Sequence, residues 1–239
     1  MDLDLSRIQK WDDQSWGFVF WSIDGIVNAY RNTGRSGPIT FIDVGANVGK
    51  ATDIISDILD IKESYMFEPV PNLYNYLKTK YSNSKKHYIF NCALTDKDTP
   101  FIDFDHSSFD NYLSTDYKDE YLNLGVSKIM DSSNKISIKN YKLSTFFKEH
   151  NHLYNENLII KIDTENQDAY ILKDFLTVLT SFKSAPLIEF EINHTNLGLP
   201  NSFVQDIIDE YFKTGLYYPF SIDKSLKDGK SDELLIPTK

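Results

Sequence analysis

Three carboxylates stand where an open α/β sheet would put chemistry. Asp163 closes the apolar run LIIKID, Glu165 follows two residues on, and Glu68 closes a second run, SYMFEP. The strands of such a sheet end at a crevice that takes ligands beyond their carboxyl ends. A carboxylate there can take the proton of an attacking hydroxyl, which is the work of a general base. Asp163 is the expected site carboxylate, orienting donor or acceptor, and Glu165 is the alternative base. Either could instead cap the helix that follows. His194, beyond a later strand, is a further base candidate, although one loop histidine has no companion to define a role. The one cysteine and the scattered histidines lack ligand spacing, so no metal site is expected.

The elements that must position these acids are legible around residues 40–52, TFIDVGANVGKAT. Thr40 to Val44 is short, apolar and β-branched, as a strand buried on both faces is. Gly45, Ala46, Asn47 and Gly49 then let the backbone turn and approach a ligand. Ile54, Ile55, Ile58 and Leu59 recur at helical spacing. A strand feeding a helix through such a turn presents backbone N–H groups to part of a nucleotide-like cofactor. Asn47 stands where the dinucleotide fingerprint has its second glycine; it tolerates a left-handed backbone but crowds a pyrophosphate. Glu68 lies nineteen residues beyond Gly49, where an acid can accept hydrogen bonds from ribose hydroxyls. A branched side chain at Gly45 is expected to block the ligand and leave the fold intact. Lys161 is taken to point to the face opposite Asp163.

Strand and helix patterns alternate, which predicts a parallel sheet with helices on both faces. The expected order is strand 41–45, helix 48–60, strand 64–68 and helix 71–81. HYIFNCAL at 87–94 is the third strand, LIIKID at 158–163 the fourth and PLIEFEI at 186–192 the fifth. Between the last two, Ala169, Leu172, Leu176 and Leu179 form one helical face. An amphipathic helix from Phe203 to Phe212 ends at Gly215, and LYYPFSI and DELLIP flank an Asp228-Gly229 hairpin signal.

Four of these segments, FIDVGANVGKAT, MFEPVPNLYNYL, NCALTD and LIIKIDTENQDAYILKDF, resemble the FkbM-type S-adenosylmethionine-dependent methyltransferases in order and spacing, with a fifth echo in PLIEFEIN. The resemblance runs from about Phe41 to Asn193. It implies a Rossmann-like class I methyltransferase fold, a mostly parallel seven-stranded α/β sheet closed by a C-terminal antiparallel hairpin. It further implies S-adenosyl-L-methionine as cofactor, held by Asp43, Gly45, Ala46, Asn47, Gly49, Glu68, Asn91, Ala93 and Asp163. The family pattern K-I-D-V-E-G-x-E reads here Lys161-Ile-Asp163-Thr-Glu165-Asn166-Gln-Asp168, so the glycine and the last glutamate are replaced.

Composition narrows the classes. A chain of 239 residues that is 41% hydrophobic fits one α/β domain with a full central sheet. A net charge of −10 argues against binding a polyanion, and no polybasic run suggests an anionic membrane surface. The single Cys92 sits in an apolar run as an inert buried thiol. MDLDLSRIQK lacks the apolar core of a signal peptide, so a cytoplasmic protein is expected.

Residues 40–239 form the expected methyltransferase domain and 1–39 a helical extension, in which Trp16, Phe20, Ile23, Val27 and Tyr30 make one apolar face. That helix packs on the sheet edge, or serves as a lid or dimer surface. A polar, tyrosine-rich insertion is expected at about 106–137. The functional reading is transfer of a methyl group to a hydroxyl of a small molecule or glycan. A nicotinamide-dependent oxidoreductase is an alternative, disfavoured by Asn47 and by the expected lack of a Tyr-x-x-x-Lys pair. A catalytically weak cofactor-binding protein is another, made thinkable by Asn166 and Asp168.

Overall fold

The computed structural model describes residues 16–105, 135–164, 167–193, 201–219 and 230–238. Its main sheet is built from β1 (Ile39–Val44), β2 (Ile61–Phe67), β3 (His87–Phe90), β7 (Leu158–Ile162), β8 (Leu187–Asn193) and β9 (Lys230–Leu235). A small sheet holds β4 (Ala93–Leu94), β5 (Phe101–Asp105) and β6 (Lys135–Tyr141). The main order is β3-β2-β1-β7-β8-β9. All its pairs are parallel except β8 with β9. This is the class I methyltransferase arrangement, with six strands in the main sheet among the described residues. Backbone bonds from Tyr218 to Ile236 and from Thr238 to Leu216 add an antiparallel return beyond β9. The Asp228-Gly229 turn lies outside the described residues.

Each face of the sheet is covered because β1, β7 and β8 are apolar on both sides. On one face Ile42, Val44, Ile160, Ile162, Ile188 and Phe190 meet α4 (Leu143–Glu149), α5 (Asp168–Leu176) and α6 (Asn201–Lys213). On the other, Phe41, Ile159 and Leu187 meet α1 (Trp16–Asn32) and α2 (Lys50–Ile58). Burial of Ile23, Val27 and Tyr30 fits the expected helical face of α1, while the side chains of Trp16 and Phe20 lie outside the described residues. The helix packs on α2 and on β8 and β9, the last two strands in the sheet order, and Ser22 donates to Glu189 Oε1 at 2.7 Å. No helix among the described residues is long and apolar enough to cross a membrane.

HYIFNCAL departs from its expected form as one strand. The Asn91 amide donates to the carbonyls of Glu68 at 2.9 Å and Pro69 at 3.0 Å, which turns the chain after β3. Ala93 and Leu94 join the small sheet instead, where β4 runs parallel to β6. The Cys92 thiol is buried and its pKa is pushed up to about 12 by that burial, as an inert role requires. Residues 135–137 of the expected insertion begin β6; 106–134 lie outside the described residues.

Candidate functional site

The turn after β1 is the centre of the arrangement. Gly45, Asn47 and Gly49 all have positive φ, at 82°, 52° and 79°. Glycine adopts this region freely, and asparagine is among the few other residues that tolerate it, so the sequence departure at Asn47 leaves the turn intact. Gly45 and Ala46 both donate to the carbonyl of Phe67 at 3.0 Å, tying the turn to the end of β2.

Glu68 follows directly. Its buried carboxylate accepts from the Asn47 N–H at 2.8 Å and from the Val70 N–H at 2.8 Å. Asn91 grips the Glu68 backbone, as described above, so the ends of β1, β2 and β3 are joined around one acid. Burial raises the Glu68 pKa to about 7, against the lowering effect of its two N–H donors. Ala93 packs with Val48, Val70 and Leu73 beneath this junction.

Asp163 arrives from the neighbouring strand. Its N–H donates to the Val44 carbonyl at 2.9 Å, and its own carbonyl occupies the space where a Gly45 side chain would begin. A Cβ there would sit 2.0 Å from that oxygen. Gly45 is therefore demanded by the meeting of β1 and β7 themselves. This corrects the expectation that a branched residue at 45 would block a ligand and spare the fold. Gly49 is likewise filled from the protein side, since a Cβ would meet the Tyr81 hydroxyl at 2.6 Å.

Lys161 overturns a second expectation. Residues two apart on a strand share a face, and the Lys161 ammonium binds Asp163 Oδ2 at 2.7 Å. Lys161 is buried while the Asp163 side chain is 42% exposed, so the pair runs from the interior to the crevice. Across the sheet, Lys161 is the register partner of Asp43 on β1 and of Glu189 on β8. Burial alone would pull the ammonium down, but Asp163, Glu189 and Asp43 together raise its pKa above the ordinary range. Asp43 lies one layer below the turn, where Oδ2 accepts from the Thr52 hydroxyl at 2.7 Å. Burial raises its pKa, opposed by Lys161 and Thr52.

Asp168 heads α5 and is buried. It accepts from the Thr164 hydroxyl at 2.7 Å and from the N–H groups of Thr164 and Glu191 at 3.3 Å. Burial, reinforced by the Asp163 charge, raises its pKa to about 7. The shorter acid thus ties the β7–α5 connection to β8. Glu165, Asn166 and His194 lie outside the described residues. The structure joins Gly45, Ala46, Asn47, Glu68, Asn91 and Asp163 at one end of the sheet, with Asp43, Gly49 and Ala93 supporting them from within.

Sequence reasoning missed Glu189 and the pairing of Lys161. The signal was present for both: an acid in the middle of an apolar central strand, and a two-residue spacing. It also missed Lys80 and Tyr81, for which a helix end offers no pattern.

The buried acids make stability depend on pH. Burial raises Glu189 to about 8, opposed by Lys161 and Ser22, alongside Glu68 and Asp168 at about 7. An acid whose pKa rises on folding binds its proton more tightly in the native state, so its contribution is full below the unfolded value. That contribution is lost as pH climbs through the native value. The thermal midpoint of the ligand-free protein is expected to fall between about pH 5.5 and about pH 8.5, and Glu189→Gln should flatten the upper part of the decline. A midpoint rising across this window would contradict the assignment.

Asn47 Oδ1 and Asp43 Oδ1 are buried acceptors with no donor of their own. A cofactor rich in hydroxyl and ammonium donors, as S-adenosylmethionine is, fits acceptors at this turn. Among the described residues no group of acids, histidines and cysteines could hold a metal ion.

The methyltransferase FkbM domain model matches residues 43–215. Among curated proteins none matches the sequence. The chain is similar to the crystal structure of methyltransferase FkbM from Methylobacillus flagellatus KT, with 14% identity and a TM-score of 0.40 over 64% of this chain and 32% of that one. It therefore spans about a third of that relative's length. It is also similar to the plantazolicin methyltransferase BpumL in complex with SAH, with 13% identity, 95% and 81% coverage and a TM-score of 0.47. Fibrillarin from Aeropyrum pernix, solved with natively bound S-adenosyl-L-methionine, gives 12%, 87% and 72%, and 0.44. With the domain model covering most of the chain, this protein belongs to the methyltransferase FkbM family.

Proposed function

We propose that this protein is an S-adenosylmethionine-dependent methyltransferase acting on a hydroxyl of a small molecule or glycan. The observation that carries the reading is the bond from the Asn47 N–H to Glu68 Oε2, which joins the glycine turn and the ribose-binding acid into one cradle. Residues 40–239 would form the catalytic domain, with 1–39 as its helical extension and 106–137 as a polar insertion.

When bound, the cofactor would supply an electrophilic methyl group on a sulfonium. Gly45 to Gly49 and Glu68 would hold it, Glu68 through its remaining lone pairs, with Asn91 keeping Glu68 in place. Asp163, fixed on its inner side by Lys161, would face the acceptor and receive the hydroxyl proton, with Glu165 as the alternative base. Alignment behind the methyl group supplies much of the rate in such a displacement.

The competing oxidoreductase reading loses one objection and gains another. Tyr76 and Lys80 do stand at Tyr-x-x-x-Lys spacing, contrary to the sequence expectation. The Lys80 ammonium, however, is committed to the Val48 carbonyl at 2.8 Å and to Asp53 at 2.6 Å.

Titration calorimetry with S-adenosylmethionine, S-adenosylhomocysteine and NAD separates these readings. Binding of the first two and not of NAD is expected. Glu68→Gln keeps the shape but turns an acceptor into a donor, and it should weaken S-adenosylhomocysteine about tenfold. Unchanged affinity in the folded variant would remove Glu68 from the site.

A further inference from the structure

A turn with three left-handed residues in five positions needs surroundings that hold it. Two carbonyls of this one are held from behind, by the end of α3 (Pro71–Lys80). The Lys80 ammonium donates to the Val48 carbonyl at 2.8 Å. The single proton of the Tyr81 hydroxyl lies between the Gly49 carbonyl at 2.9 Å and Asp53 Oδ1 at 2.6 Å. Asp53, in the first turn of α2, also binds Lys80 through Oδ2 at 2.6 Å. The Lys80 and Asp53 side chains are only 18% and 25% exposed, so the pair is shielded more than a surface bridge. No side chain caps the start of α2, where Gly49 is the N-cap residue.

From this arrangement we infer that Lys80, Asp53 and Tyr81 form a clamp that positions the cofactor-binding turn. A peptide group is planar, so fixing a carbonyl on the α3 side fixes the N–H on the other side of the same plane. Lys80 and Tyr81 fix the peptides after Val48 and Gly49 and thereby the start of α2. Asp53 keeps both donors aimed. These three are positioning residues: they act on the cofactor through the backbone and touch it nowhere. The inference rests on the reading that the turn holds S-adenosylmethionine.

The test is S-adenosylhomocysteine affinity by calorimetry, at a temperature where thermal unfolding shows every variant to be native. Tyr81→Phe removes one oxygen and keeps the ring that packs on Gly49. Tyr81→Phe and Lys80→Met should each weaken binding about five- to tenfold. Their double variant should fall well short of the product, because both act on one turn. Lys80→Arg keeps the charge and should recover most of the loss. Lys62→Met, which breaks the distant Lys62–Glu156 pair, should leave affinity unchanged. Wild-type affinity in folded Tyr81→Phe and Lys80→Met overturns the clamp, as does equal loss in Lys80→Met and Lys80→Arg. A native protein that binds no S-adenosylhomocysteine would overturn the cofactor reading instead.

Discussion

Gly45→Val is expected to leave the chain without a stable native state, at a cost above roughly 4 kcal/mol. The added Cβ would stand 2.0 Å from the Asp163 carbonyl oxygen and 2.9 Å from its carbon. Neither strand can retreat, because the Asp163 N–H is bonded to Val44 and β1 and β7 are paired from Thr40 to Val44. A φ of 82° adds strain of its own for a branched residue. Gly37→Ala is the control, since Gly37 has a φ of 92° and open space around it. It should cost about 1 kcal/mol, the backbone term alone. Denaturant unfolding reads both; a Gly45→Val protein within about 1 kcal/mol of wild type would show that the junction yields.

Asp163→Asn is expected to lower turnover ~10²-fold or more, the usual scale for loss of a general base. The amide keeps the size of the carboxylate, so cofactor affinity should change far less. Lys161 retains the Asp43 and Glu189 carboxyl groups as its partners across the sheet, which keeps the interior tolerant of the change. Methyl release across a panel of hydroxyl acceptors gives the measurement. A loss below about threefold would make positioning alone responsible for catalysis, or move the base to Glu165.

The sheet was legible because its strands are apolar on both faces and are punctuated by glycine and proline. The glycine turn was legible because tight turning restricts residue type, and Glu68 because it is the acid that closes the second apolar run. The break in HYIFNCAL was hidden, since an asparagine within an apolar run does not announce that its amide will grip two carbonyls just beyond the end of β2. The network around Lys161 was readable in part: period two puts Lys161 with Asp163, but only the register across β1, β7 and β8 adds Asp43 and Glu189. The clamp behind the turn joins positions about 30 residues apart through tertiary packing, and local patterns carry no trace of it.

The bond from Ser22 to Glu189 bears on how the protein could be rebuilt. The stretch that marks the family, 43–215, omits α1, the first four residues of β1 and all of β9. A chimera assembled by swapping that stretch between relatives would bring Glu189 and Lys161 without the helix that roofs them. Transplanted alone, the acid would lose its hydroxyl donor, and Ile159 and Leu187 would lose the cover of Ile23 and Ile26. The recognisable signature and the smallest exchangeable part are therefore different objects. Any graft would have to carry its own roof.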